Sequence, residues 1–149
     1  MKRGFRKGFT LIELLIVLAV IAALLAVVTP VALNAVRKAN LTKIASNLRN
    51  IKSAAETYVT MNYEDLNGNI EDLLDTLKNG YLTTDPNEGL ENSDYFAKLE
   101  YSTDVSTVTI WYEGGGADAE KLKEELHKIY SEVSTDTTYP QVQFTVGNW

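Results

Sequence analysis

A chain of 149 residues is long enough for one domain with an appended element, and it is too short for two full hydrophobic cores. Hydrophobic residues make up 45% and charged residues 23%, which is typical of a globular rather than a disordered protein. The absence of cysteine excludes disulfide bonds, thiolate metal sites, lipid-modified cysteine and thiol nucleophiles.

The N-terminus combines a basic leader with a long apolar run. Lys2, Arg3, Arg6 and Lys7 lie in the leader, residues 1–8, and residues 14–28 are uninterrupted Leu, Ile, Val and Ala. With its flanks this run approaches the ~20 residues that a helix needs to span a bilayer. We therefore predict a membrane helix over residues 9–33. The basic flank keeps the N-terminus in the cytoplasm, so the rest of the chain is expected outside.

Residues 34–62 change from apolar to amphipathic. Apolar residues recur at spacings of three and four, which predicts one helical stripe: Leu41, Ile44, Leu48, Ile51, Ala55 and Tyr58. Lys43, Arg49, Lys52 and Glu56 lie off that stripe. Since no strong helix breaker separates residues 31–62, we predict one helix from Phe9 to Asn62.

Residues 63–149 form an acidic head with eighteen acids and five bases, which disfavours direct nucleic-acid binding. Asn69 is predicted to cap a short helix that stops at Gly80. Residues 95–101 and 105–113 alternate with period 2 and predict an antiparallel hairpin. Residues 117–133 predict an amphipathic helix with Leu122, Leu126, Ile129 and Val133 on one face, and residues 141–146 predict a last strand. The fold class is α+β: a long helix on a small antiparallel sheet with two extra short helices.

Two export routes fit the N-terminus. An ordinary secretory signal would be removed near Ala32 or Ala35, leaving a soluble exported binding or enzymatic domain. Cleavage between Gly8 and Phe9 would instead leave the apolar helix on the mature protein. The length of the apolar run and the carboxylate of Glu13 near its start favour the second route.

The stretch "KGFTLIELLIVLAVIAAL" resembles the class III signal of type IV prepilins and pseudopilins, with a basic leader ending in Gly8 and with Phe9 to Glu13 opening the apolar helix. The resemblance implies that a prepilin peptidase cuts after Gly8 and methylates the amine of Phe9. The chain would then be a filament subunit without enzymatic activity. A separate assembly ATPase and a platform protein would drive its polymerisation.

The resemblance implies a precursor in the inner membrane and later a homo-oligomeric helical filament at the cell surface. The expected function is that of a type IV pilus subunit, and the alternative is a pseudopilin of a type II secretion or competence pseudopilus. Glu13 argues against the tip-initiating type of subunit, which commonly lacks this residue. The missing cysteines depart from the disulfide-closed loop of many Gram-negative pilins, so the head must be closed by packing.

Glu13 has two interpretations. It could lie solvated at headgroup depth beside Arg6 and Lys7. Alternatively, it could pair with the Phe9 amine that cleavage creates, on a neighbouring subunit, and so set the axial register of the filament. Before cleavage the nitrogen of Phe9 is an uncharged amide and cannot form this ion pair. Filament assembly would therefore depend on cleavage.

Pro30 removes one backbone hydrogen bond from the predicted helix. It could be a tolerated kink, or the stretch could unwind locally on assembly, as the resemblance implies. Many family members have a glycine where this chain has Ala22.

No cofactor is expected. Residues 65–69 resemble a calcium loop weakly, but the spacing favours an Asx turn and helix cap. Asp85, Glu88, Glu91 and Asp94 lie in residues 83–94, which weakly resemble the calcium-binding loops of some major pseudopilins, and they are interpreted as a solvated acidic loop. Gly114 to Gly116 are not a phosphate loop, His127 is expected at the surface, and Trp111, Tyr112 and Trp149 are expected in the sheet core or at its edge.

Overall fold

The computed structural model describes residues 8–62, 66, 68–88, 94–102, 105–114 and 119–147. In chain order the elements are helix α1 (Leu11–Asn62), helix α2 (Leu73–Lys78), strands β1 (Tyr95–Glu100) and β2 (Val105–Tyr112), helix α3 (Ala119–Ile129) and strand β3 (Gln141–Gly147). This is the predicted α+β fold, with one long helix, a small antiparallel sheet and two short helices. The chain divides into two compact units, Met1–Ala39 and Asn40–Trp149, and α1 contributes to both.

The sheet of the Asn40–Trp149 unit has the strand order β1-β2-β3, and both pairs are antiparallel. Leu99 lies opposite Val108 in the first pair, and Val108 lies opposite Phe144 in the second. Side chains of a strand alternate between the two sheet faces. The inner face, which carries Leu99, Val108 and Ile110, belongs to the same hydrophobic cluster as the buried residues of α1.

The second half of α1 carries the predicted apolar stripe. Leu41, Leu48, Ile51 and Ala55 are buried, as the spacing predicted. Ile44 and Tyr58 are partly buried and pack against the same core. The buried face is wider than predicted because it also includes Ala45, Ala54 and Val59.

The start of α2 differs from the prediction, since the residue that caps it is Asp72 and not Asn69. Asp72 Oδ1 accepts a hydrogen bond of 3.1 Å from the backbone N–H of Asp75. Ile70 exchanges two backbone hydrogen bonds of 2.8 Å with Leu99, so the chain is extended there and the helix cannot begin earlier. Asn69 Oδ1 instead accepts from the N–H of Tyr101 at 2.8 Å.

The end of α3 also differs from the prediction. The helix stops at Ile129. Val133 was predicted on the buried face of the helix; it is buried, but it lies in a turn that follows the helix. A ring N–H at Nδ1 of His127 donates to the Val133 carbonyl at 2.7 Å, which holds the chain in that turn. Ile129 is 38% exposed, and Tyr130 takes the core position instead.

Four side chains, which we call the C-terminal clasp, fasten the segment after α3 to α1: Arg49, Lys52, Tyr130 and Glu132. Lys52 Nζ lies 2.5 Å from Glu132 Oε2, and the hydroxyl of Tyr130 donates to the same oxygen at 3.0 Å. Arg49 donates to the backbone carbonyl of Ile129 at 2.9 Å, and its guanidinium carbon lies 4.5 Å from the centre of the Tyr130 ring. The clasp closes this part of the head without a disulfide.

Candidate processing and assembly site

The beginning of α1 is a capping box formed by Thr10 and Glu13. Glu13 Oε2 accepts hydrogen bonds from the backbone N–H of Thr10 at 2.8 Å and from its hydroxyl at 2.7 Å. In return, the N–H of Glu13 donates to Thr10 Oγ1 at 3.3 Å. A Thr-x-x-Glu pair of this kind satisfies backbone donors that have no partner inside the helix. The carboxylate of Glu13 is therefore directed back toward the start of the helix.

The predicted cleavage position lies just before this capping box. Gly8 and Phe9 precede the first helical residue, and the side chain of Phe9 is 92% exposed. Both residues are thus outside the hydrogen-bonded helix. Lys2, Arg3, Arg6 and Lys7 of the leader lie outside the described residues.

The first part of α1 presents an apolar surface on all sides. Seventeen large hydrophobic side chains between Phe9 and Val36 are 47–92% exposed. Burying such a side chain is worth roughly 1.5–3 kcal/mol, so this surface requires a lipid or protein environment. Within residues 8–36 the single charged side chain is Glu13. In the part of the chain that the structure describes, one helix, α1, is long and apolar enough to cross a membrane.

Pro30 lies inside α1, and the helix continues through it to Asn62. Because proline has no N–H, the helix lacks one backbone donor at this position. The hydroxyl of Thr29 donates to the backbone carbonyl of Leu25 at 2.7 Å. This is the arrangement by which threonine binds the preceding helical turn in an apolar environment.

The comparison with protein families identifies a motif at the start of the chain. One family profile, described as the prokaryotic N-terminal methylation motif, matches residues 3–29. The chain carries an N-terminal methylation motif. The motif includes Gly8, Phe9 and Glu13, and it ends one residue before Pro30. No curated protein and no solved structure matches the chain.

The methylation motif supports a type IV pilin-like or pseudopilin-like precursor, and it points to a structural subunit. Together with the apolar helix it fits a precursor anchored in the inner membrane. A cleavable secretory signal also contains an apolar stretch, so hydropathy alone does not separate the two routes. The methylation motif favours cleavage before the helix.

Thr10 is the site residue that the sequence analysis missed. The signal was present, because a threonine followed three residues later by a glutamate before an apolar run is the pattern of a capping box. The prediction for Glu13 placed its partner on another chain, whereas the carboxylate accepts two hydrogen bonds from Thr10 at the start of its own helix.

The acidic residues that were considered for calcium binding have the following positions in the structure. The structure's described residues contain no group of three or more His, Cys, Asp or Glu side chains suited to a metal. Asp85 pairs with Lys78 at 3.3 Å and accepts from the N–H of Asn87 at 2.9 Å. Asn87 Oδ1 accepts from two backbone N–H groups, those of Asp94 and Tyr95, so hydrogen bonds within the chain hold the described part of this loop. Glu91 and residues 65 and 67 lie outside the described residues.

Proposed function

We propose that the chain is the structural subunit of a type IV pilus. It is processed between Gly8 and Phe9, methylated at the new amine of Phe9, and polymerised through α1 into a homo-oligomeric filament. The observation that carries this proposal is the methylation motif at residues 3–29. The exposed apolar surface that follows the motif supports it, because in a filament that surface would be covered by neighbouring copies.

The partners follow from the proposed pathway. A prepilin peptidase and methyltransferase would act on the leader at the cytoplasmic face of the inner membrane. An assembly ATPase and a platform protein would move subunits from the membrane into the filament, which would be displayed at the cell surface. We expect this chain itself to hold no cofactor during these steps.

Glu13 is proposed to pair with the methylated amine of Phe9 on a neighbouring subunit. The capping box uses one carboxylate oxygen, Oε2, for both hydrogen bonds from Thr10. A carboxylate has about four acceptor positions, so the group retains capacity for a further donor. In an apolar filament core a slipped neighbour would leave both charges unpaired, which is strongly unfavourable. The capping box would hold the carboxylate ready for that partner.

Pro30 is proposed to mark the place where α1 opens during assembly. The missing backbone donor weakens the helix at one turn, and the Thr29 hydroxyl already bonds to the preceding turn. A locally opened segment would give the filament some extensibility.

The capping box allows the charge of Glu13 to be tested separately from its structural role. Glutamine also completes a capping box, so Glu13→Gln keeps the hydrogen bonds to Thr10 and removes the charge. Thr10→Ala keeps the charge and removes the side-chain cap. Glu120→Gln, on the exposed surface of α3, is the matched control for loss of one negative charge.

The measurement is the amount of each variant in sheared filaments relative to its processed form in the membrane. We expect normal cleavage for all variants, loss of filament incorporation for Glu13→Gln, and normal incorporation for Glu120→Gln. Thr10→Ala should assemble at a reduced level. Wild-type incorporation of Glu13→Gln would refute the charge pairing. Filaments found across the envelope of a secretion system, and not at the surface, would identify a pseudopilus.

A further inference from the structure

The outer face of the sheet carries an open groove with a volume of about 770 Å³. Its floor is formed by cross-strand neighbours, since Lys98 lies opposite Thr109 and Thr109 lies opposite Gln143. These side chains alternate with the buried residues Leu99, Val108 and Ile110, so they lie on the sheet face away from the core. The groove belongs to the Asn40–Trp149 unit.

The groove is lined by four carboxylates and one ammonium group. The acids are Glu71, Glu100, Glu113 and Asp136, and the base is Lys98. Lys98 Nζ lies 2.8 Å from Glu100 Oε1, so this base is already neutralised by one of the four acids. Three carboxylates therefore remain in excess, on a head that is acidic overall.

The indole ring of Trp111 lines the same groove. Trp111 stacks on Phe96 with a centroid distance of 5.4 Å and an interplanar angle of 16°. Its Nε1–H donates to Glu113 Oε1 at 2.7 Å, which places a carboxylate beside the ring. The partly exposed ring of Tyr139 lines the same groove. Aromatic rings next to carboxylates are suited to cations, which are attracted by both.

One wall of the groove is held in place by a buried lysine. Lys123 is 8% exposed, and its ammonium donates to the backbone carbonyls of Thr135 and Thr137. The hydroxyl of Thr137 donates to the carbonyl of Tyr139 at 2.6 Å. The loop that carries Asp136 and Tyr139 is thereby fastened to α3, so the groove is preformed and a ligand would not have to order it.

We propose that this groove binds a cationic peptide segment of a partner protein, with lysine or arginine side chains placed against Trp111 and the carboxylates. The excess of acids excludes anionic ligands such as nucleic acid or phosphorylated peptides. A neutral oligosaccharide would use the aromatic ring but would gain nothing from the three carboxylates. The proposal goes beyond filament formation and concerns what the head recognises.

The test uses the full chain in a polyoxyethylene detergent, which carries neither charge nor sugar. The probe is hexalysine with blocked ends, titrated by calorimetry at low ionic strength, and maltohexaose is the neutral comparison. The groove variant is Glu113→Gln with Asp136→Asn, and the matched control is Glu120→Gln with Glu124→Gln on exposed positions of α3. Both double variants remove two negative charges, so they change the overall charge of the head equally.

We expect hexalysine to bind the wild type and the control alike, and to bind the groove variant about tenfold more weakly, which corresponds to about 1.4 kcal/mol. Trp111→Leu should also weaken binding several-fold. Equal weakening by both double variants would show diffuse attraction to the acidic head and would overturn the proposal. Absence of hexalysine binding, or maltohexaose binding that the groove variant does not change, would overturn it as well.

Discussion

The C-terminal clasp offers a sharp test of how a head without cysteine is closed. Lys52 and Glu132 are eighty residues apart in the chain, and their charged atoms lie 2.5 Å apart. The side chains are 21% and 51% exposed, so solvent screens the pair, and such pairs contribute roughly 0.2–1 kcal/mol. The hydrogen bond from Tyr130 adds about 0.5–1.5 kcal/mol. Glu132→Ala should therefore lower the free energy of unfolding by about 1–2 kcal/mol.

The assay is a double-mutant cycle of Lys52→Met and Glu132→Gln, with urea unfolding in nonionic detergent followed by tryptophan fluorescence. We expect a coupling free energy of roughly 0.2–1 kcal/mol at neutral pH. Glu120→Gln, which removes an exposed acid outside the clasp, should change the unfolding free energy by less than about 0.5 kcal/mol. A coupling free energy of zero at neutral pH would refute the ion pair.

The pH dependence of this coupling follows from the two pKa shifts. The hydrogen bond from Lys52, and then that from Tyr130, lowers the pKa of Glu132 below its ordinary 4.5. Its contribution to stability is therefore present above pH 4.5 and is lost as the pH falls through the lowered pKa. The bond to Glu132 raises the pKa of Lys52 above 10.5, so the lysine contribution is present below that pH and is lost above the raised pKa. Coupling that persists at the acidic end would contradict the assignment.

Three further predictions concern the core, α2 and the edge of the sheet. Leu48→Ala should lower the free energy of unfolding by about 2–5 kcal/mol because Leu48 is fully buried. Met61→Ala, at a 73% exposed position, should change it by less than about 0.5 kcal/mol. Urea titration of the two variants measures both changes. Asp72→Ala should cost about 1 kcal/mol by removing the cap of α2, and Asp72→Asn should restore most of that stability in the same assay. Burial raises the pKa of Tyr95 to about 12, so the free energy of unfolding should fall as the pH rises from 10 toward 12. In an ultraviolet absorbance titration, Tyr95→Phe should remove one phenol that ionises at high pH. An unchanged titration curve would disprove this.

Local periodicity was enough to predict much of the fold. Apolar residues recur every three or four positions on the second half of α1 and every two positions in the hairpin strands. Each spacing indicates which residues face the core. Burial of Leu48 and Ile51, and the pairing of β1 with β2, followed from those patterns.

The errors arose where contacts between distant residues decided the outcome. Asn69 and Asp72 are both acceptable helix caps, and the bridge between Ile70 and Leu99 selected the second. The C-terminal clasp could not be predicted from the sequence for the same reason, because Lys52 and Glu132 are far apart in the chain and no local pattern pairs them.

The candidate site depended on a different kind of information. Gly8, Phe9 and Glu13 were predicted from a short specific string, and the methylation motif covers that string. Their roles in cleavage and assembly stay predictions. Thr10 could have been found from spacing alone, because Thr-x-x-Glu is a local signal whose meaning does not depend on the rest of the fold.

The central claim is that the chain is cleaved after Gly8 and keeps its apolar helix. Mass spectrometry of the mature protein, purified from membranes and from sheared filaments, tests this claim most directly. We expect an N-terminal peptide that begins with a methylated Phe9 in both fractions. A mature chain that begins near Ala32 or Ala35 would show that the apolar run is an ordinary signal peptide, and it would contradict the proposed filament subunit.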